Sequence, residues 1–168
     1  QAMAAAKSYR VTVTTQSAAT GQPSDIVIDV VKPDRLHATV DSGGGKIVET
    51  ILIGSTTYFK VGPTWQKSPV PIPAGPAGLL SSDPQKLFDQ ISANQKNGTM
   101  TRAGADQVDG TPCQEWVWTP TTGDVGQLGG SICIGLLTNL PLQFKSMDGK
   151  TVVKYSNWND PLTIEAPI

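Results

Sequence analysis

Histidine occurs once in this chain of 168 residues, at His37, and cysteine twice, at Cys113 and Cys133. A histidine-based metal site therefore has no second imidazole to draw on. His37 also falls on the polar side of its predicted strand, which suits a structural side chain better than a catalytic base. Charge is sparse as well: charged residues make up 16% of the chain, against about a quarter in ordinary soluble domains. With 13 basic and 14 acidic residues the net charge is -1, so no basic patch suits a nucleic-acid backbone. Long apolar runs are missing too. Segments such as Ile51-Leu52-Ile53 are too short to cross a bilayer, so no transmembrane segment is expected in this chain. The opening, Gln1-Ala2-Met3-Ala4-Ala5-Ala6, lacks the basic start and apolar stretch of an export signal. A mature, processed chain opens in the same way.

What is present is turn chemistry and alternation. The 17 glycines and 13 prolines suit many turns and fall short of a disordered composition. The length suits one domain, 1–168, with a real core. Ala2 to Lys7 reads as the tail of a helix. Tyr9, Val11 and Val13 then alternate with polar residues, as do Ile26, Ile28 and Val30, and Leu36, Ala38 and Val40. Gly43-Gly44-Gly45 leads to a strand at 46–53 whose apolar residues occupy both faces, which predicts cover on both sides. Thr57 to Val61 follows the Gly54-Ser55 turn, and Trp65 lies just beyond it. Prolines 69, 71, 73 and 76 exclude a central strand and predict an extended loop. Asp83 as N-cap, Pro84, and the stripe of Leu87, Phe88 and Ile91 predict a helix over 83–95, ended by Asn97-Gly98. Strands are then expected at 99–105, 111–119, 131–137, 140–147, 151–157 and 162–166, with Leu142 and Phe144 alternating together. Roughly ten short strands and one or two helices, with no fixed-period repeat, predict an antiparallel meander.

Familiar catalytic motifs are incomplete. Gly43-Gly44-Gly45-Lys46 is followed by Ile47 and by no helix, so a hairpin turn explains it better than a phosphate loop. Gly129-Gly130-Ser131-Ile132-Cys133 lacks the closing glycine of a nucleophile elbow. Asp106 and Asp109 flank a turn ending at Gly110, where acids are usually solvated. Asn97-Gly98-Thr99 has the form of a glycosylation acceptor, although its glycine suits a plain turn. The cysteines carry more. If their strands form a hairpin centred near Gly123, Cys113 lies opposite Cys133, close enough for a disulfide when both side chains share a face. Two buried thiols packed as small hydrophobes are the other reading. A bridge implies an oxidising compartment.

Four stretches carry a resemblance to a known family. They are Ala4-Ala5-Ala6-Lys7-Ser8-Tyr9-Arg10, Val31-Lys32-Pro33-Asp34-Arg35-Leu36, the hairpin from Ile51-Leu52-Ile53-Gly54 to Thr57-Tyr58-Phe59 with Trp65 after it, and the tail from Tyr155 through Trp158 to Pro167. Together they resemble the bacterial LolA-like superfamily: periplasmic lipoprotein carriers, lipid-binding lipoproteins of the LppX and LprG type, and RseB-like sensor domains. The resemblance implies a mainly β (α+β) fold, a curved antiparallel sheet forming an incomplete barrel with one or two helices covering its concave face. It also implies an apolar cavity. Lys32 stands where the carriers place an arginine that helps gate lipid transfer, and lysine lacks that residue's planar fork. The implication is a hydrophobic-ligand class, not lipoprotein shuttling.

The expected function is thus non-catalytic binding or transport of a lipid, acyl chain or lipoprotein in the periplasm or envelope, with no cofactor and no metal. Cavity walls are expected from Val11, Val13, Ile28, Leu36, Trp116 and Ile134, with Leu87, Phe88 and Ile91 from the helix. The alternative is a periplasmic sensor or interaction module whose partner is an envelope protein. An enzyme on the same scaffold is a third reading.

Overall fold

A computed structural model describes residues 2–16, 22–41, 47–68, 98–120 and 129–168. The proline loop, the Gly43-Gly44-Gly45 turn and the predicted helix with Leu87, Phe88 and Ile91 lie outside the described residues. One helical turn, α1 (Ala2–Ala5), precedes eleven described strands. Every described pairing is antiparallel. The chain divides into two compact units.

One unit holds β1 (Ser8–Gln16), β2 (Pro23–Val31), β3 (Arg35–Asp41), β4 (Ile47–Ile53), β5 (Thr56–Val61), β6 (Thr64–Ser68) and the tail from residue 156 onward. Each strand pairs with the next, giving the order β6-β5-β4-β3-β2-β1. Register follows the alternation: Val11 faces Ile28, Val13 faces Ile26, and Val30 faces Leu36. A single apolar face results, because residues directly opposite across a ladder point the same way. β6 was missed by the sequence reading, since Thr64-Trp65-Gln66-Lys67-Ser68 has only one apolar residue. It pairs with β5 through Trp65 opposite Lys60, whose ammonium lies 5.5 Å from the indole centroid.

Strand β4 has apolar residues on both faces, and it is covered at Ile51 while Val48 on the other face stays 51% exposed. Ile51 points away from the Val11–Ile28 face, yet it is buried in a small core with Tyr58 and Ile164. Val31, Ile53 and Trp65 pack against that core. The tail supplies Ile164, and so corrects the strand expected at 162–166: this segment adds no ladder and crosses the sheet as an apolar strap. Polar groups pin it. Ser8 Oγ donates to the Asp160 carbonyl at 2.6 Å, Lys7 N donates to Asn159 Oδ1 at 2.8 Å, and Arg35 donates to the Ile164 carbonyl at 2.6 Å.

The other unit holds α1 and β7 (Gly98–Val108), β8 (Thr111–Pro120), β9 (Gly130–Gly135), β10 (Pro141–Ser146) and β11 (Thr151–Ser156), in the order β11-β10-β9-β8-β7. Asp109 and Gly110 make the two-residue β7–β8 turn, both with positive φ, as such hairpins favour. Two irregularities re-aim side chains. A shift between Pro141 and Gln143 breaks the alternation, sending Leu142 to one face and Phe144 to the other. A second shift lies between Arg102 and Gly104. Gly130 admits the close approach of β10: a Cβ there would sit 2.1 Å from the Lys145 carbonyl oxygen.

Candidate functional site

Cys113 and Cys133 form a disulfide, with Cα atoms 5.5 Å apart. The bridge is diagonal: Cys113 stands opposite Gly135 and Cys133 opposite Glu115. The sequence reading placed the two cysteines directly opposite. The β8–β9 register is displaced by two residues from that expectation, a shift that keeps both side chains on one face. The bridge, Val108 and Leu142 form the core of this face.

The opposite face of the same strands is aromatic. Trp116 stands opposite Ile132, and Ile134 opposite Gln114. Phe144 continues the row beside Ile132, and Val153 beside Phe144. Trp118, Ile132, Phe144, Val153 and Tyr155 are buried, whereas Trp116 and Ile134 are half-buried. Burial pushes the Tyr155 hydroxyl well above the usual phenol range.

In the β1–β6 unit, apolar exposure is graded across one face. Val11, Val13 and Ile28 are buried, Ile28 with only 1% of its surface exposed. Leu36, Val40, Leu52 and Phe59 on the next strands are half-buried. Val48 and Val61 reach 51% and 53% exposure. Of the expected wall residues, the structure thus pairs Val11 with Ile28 and sets Leu36 one strand away, opposite Val30. Trp116 and Ile134 share a face in the other unit. Tyr9, Ile26 and Val30 lie on the first of these faces, and Trp118, Ile132 and Phe144 on the second; the same alternation would have included them.

The polar face of the β1–β6 unit holds ion pairs rather than a reaction centre. Arg10 makes a two-pronged bond to Asp29, at 2.6 and 2.8 Å. That bond holds its guanidinium above the ordinary range. Glu49 accepts from Lys60 at 2.7 Å and lies 3.0 Å from His37 Nε2. The Lys60 bond leads in holding the Glu49 carboxyl below its usual value, with His37 adding to it. Asp109 is paired with Lys154 at 2.8 Å. Among the described residues, no three acids, histidines or cysteines come together as a metal site. No described helix is long and apolar enough to cross a membrane.

No family model matches the sequence, and comparison with characterised proteins returns no match. Solved structures do match. LprF from Mycobacterium bovis is similar over 99% of this chain and 91% of its own, with 19% identity and a TM-score of 0.61. The Mycobacterium tuberculosis lipoprotein LppX is similar over 98% of this chain and 92% of its own, with 15% identity and a TM-score of 0.61. MucB in the Pseudomonas aeruginosa MucA/MucB complex aligns over 98% of this chain but 55% of that chain, at 16% identity and a TM-score of 0.50. The fold is LolA-like, as the sequence resemblance implied.

Proposed function

We propose that this protein binds a lipid or acyl chain on its apolar sheet face, without catalysis, in the cell envelope of the organism that exports it. The observation that carries the reading is the gradient on the β1–β6 face, from buried Ile28 to half-buried Leu36, Leu52 and Phe59. A finished core has no reason to leave apolar side chains of one face part-exposed, whereas a ligand-contacting wall does. The half-buried Trp116 and Ile134 in the other unit support the same use. Burial of apolar area contributes roughly 25 cal/mol per Å², so an acyl chain needs no charged contact to bind well. The disulfide supports an oxidising compartment, and the likeness to a lipoprotein supports the envelope.

A second reading, an interaction module for an envelope protein, is favoured by the β9–β10 turn, where Leu136 and Leu137 are 52% and 94% exposed. Native mass spectrometry of freshly isolated protein, followed by titration of the delipidated chain with a fluorescent fatty acid, separates the two. Retained lipid and saturable uptake are expected. A ligand-free protein with no saturable uptake would sink the lipid reading and leave the interaction module ahead.

A further inference from the structure

The β7 irregularity places a cation on the aromatic face. Counting back from the Asp109-Gly110 turn, an unbroken ladder would set Arg102 opposite Val117, on the disulfide face. The extra residue between Arg102 and Gly104 sets it opposite Trp116 instead, on the aromatic face. Bulges of this kind turn a side chain from one face of a sheet to the other. Gln114, buried on that face, holds the arrangement at both ends. Its Nε2 donates to the Gly104 carbonyl at the bulge, and its Oε1 accepts from Arg102 Nε at 2.6 Å. A buried amide costs stability unless it is bonded, and here both ends are bonded. With Nε committed, the guanidinium keeps its two terminal nitrogens for an end-on, two-pronged acceptor. Among the described residues no carboxylate pairs with Arg102, unlike Arg10 with Asp29.

We infer that Arg102, positioned by Gln114 and the β7 bulge, is the headgroup site of the lipid ligand and takes a single carboxylate or phosphate beside Trp116. This rests on the lipid reading above and adds a class to it: an anionic amphiphile whose chain lies along the aromatic face. The competing account of an inward-facing charge on an edge strand is protection against edge-to-edge pairing, and the experiment distinguishes the two.

The full chain, delipidated, is titrated at low salt with dodecanoate, dodecyl phosphate and the neutral methyl dodecanoate, as wild type, Arg102→Gln and Arg102→Lys. The wild type should prefer the better anion over the ester about tenfold, a preference that high salt erodes. Arg102→Gln should abolish the preference, bringing the anions down to the level of the ester. Arg102→Lys should retain only part of it, since an ammonium lacks the fork. The tighter of the two anions identifies the headgroup as carboxylate or phosphate. Equal binding of ester and anions by the wild type, or a preference that survives Arg102→Gln, would overturn the headgroup site and leave the lipid reading standing. Self-association gained by Arg102→Gln without any anion preference would assign the arginine to edge protection. Uptake of none of the three probes would overturn both readings together.

Discussion

The two units fasten the same kind of antiparallel ladder in different ways. In the β1–β6 unit the face away from Val11 and Ile28 is closed by a strap, with Ile164 packed on Ile51 and Tyr58 and with Arg35 holding the strap's backbone. In the β7–β11 unit the corresponding job falls to a covalent bridge, Cys113–Cys133, flanked by Val108 and Leu142. A strap of side-chain contacts is reversible and local, and its loss exposes one patch. A disulfide acts mostly on the unfolded chain, by removing conformations that an open loop of its length would sample. Cutting either one should therefore weaken the molecule in a different place and by a different amount.

The covalent lock should be the larger. With the cysteines 20 positions apart in sequence, loop closure alone gives about 3 kcal/mol in the chain-entropy picture. Replacing both by alanine is expected to lower the unfolding free energy by that order in urea titrations. Hydrogen exchange should speed first in 111–118 and 131–135, with β2 and β3 affected less. Uniform speeding throughout both units would show that the bridge does not act on its own unit. For the strap, Ile164→Ala should cost about 2 kcal/mol, the low end for an isoleucine-to-alanine change, because a segment outside any ladder can relax into the space. Exchange should then rise at β4 and β5. No change on Ile164→Ala would mean that Tyr58 and Ile51 are buried without the strap.

Much of this difference was legible in the sequence, and the parts that were not share a cause. Strand alternation shows the Val11–Ile28 face, and the double-sided apolar pattern of 46–53 points to the cover found at Ile51, although the Val48 face of β4 stays partly open. The cover itself was misread, because Leu162-Thr163-Ile164-Glu165-Ala166 alternates like a strand while only Ile164 is buried. Alternation reports which side chains are apolar, not whether a backbone finds a ladder. The disulfide was inferred although its register was off by two, since parity alone decides the face. A one-residue irregularity does change parity. For that reason alternation groups Leu142 with Phe144 and does not bring Arg102 to the face of Trp116. The apolar residues of these faces can be read from sequence; the place of Arg102 opposite Trp116 cannot, because a bulge sets it there.

The comparison sharpens further at the apolar faces, where each unit carries a different kind of wall. Ile134 is half-buried beside Gln114 and Trp116. Ile134→Asn would leave an unmatched amide against the acyl chain, and fatty-acid affinity is expected to fall about tenfold, or roughly 1.4 kcal/mol. His37→Ala and Asp109→Ala lie on ion pairs away from that face and should leave affinity within about twofold, since exposed pairs are worth little. Fluorescent fatty-acid titration of the three variants decides it. Equal losses in all three would mean that the aromatic face is not the wall.

The smallest expected effect belongs to the polar face of the strapped unit. Glu49 joins Lys60 on β5 to His37 on β3, and these partners hold its carboxyl below the ordinary value of 4.5. A carboxylate whose pKa is lower folded than unfolded adds stability that is fully present above the unfolded value. That contribution fades as pH falls from the ordinary glutamate range through the lowered folded value. Glu49→Gln should therefore cost only a few tenths of a kcal/mol at neutral pH, as partly solvated pairs do. The wild-type and Glu49→Gln stability curves should converge once the pH has fallen through that lowered folded value, where both side chains are neutral. Urea unfolding of the two proteins across pH 3 to 7 measures this. A gap that stays constant into acid would mean that Glu49 acts through packing between β3 and β5 rather than through its charge.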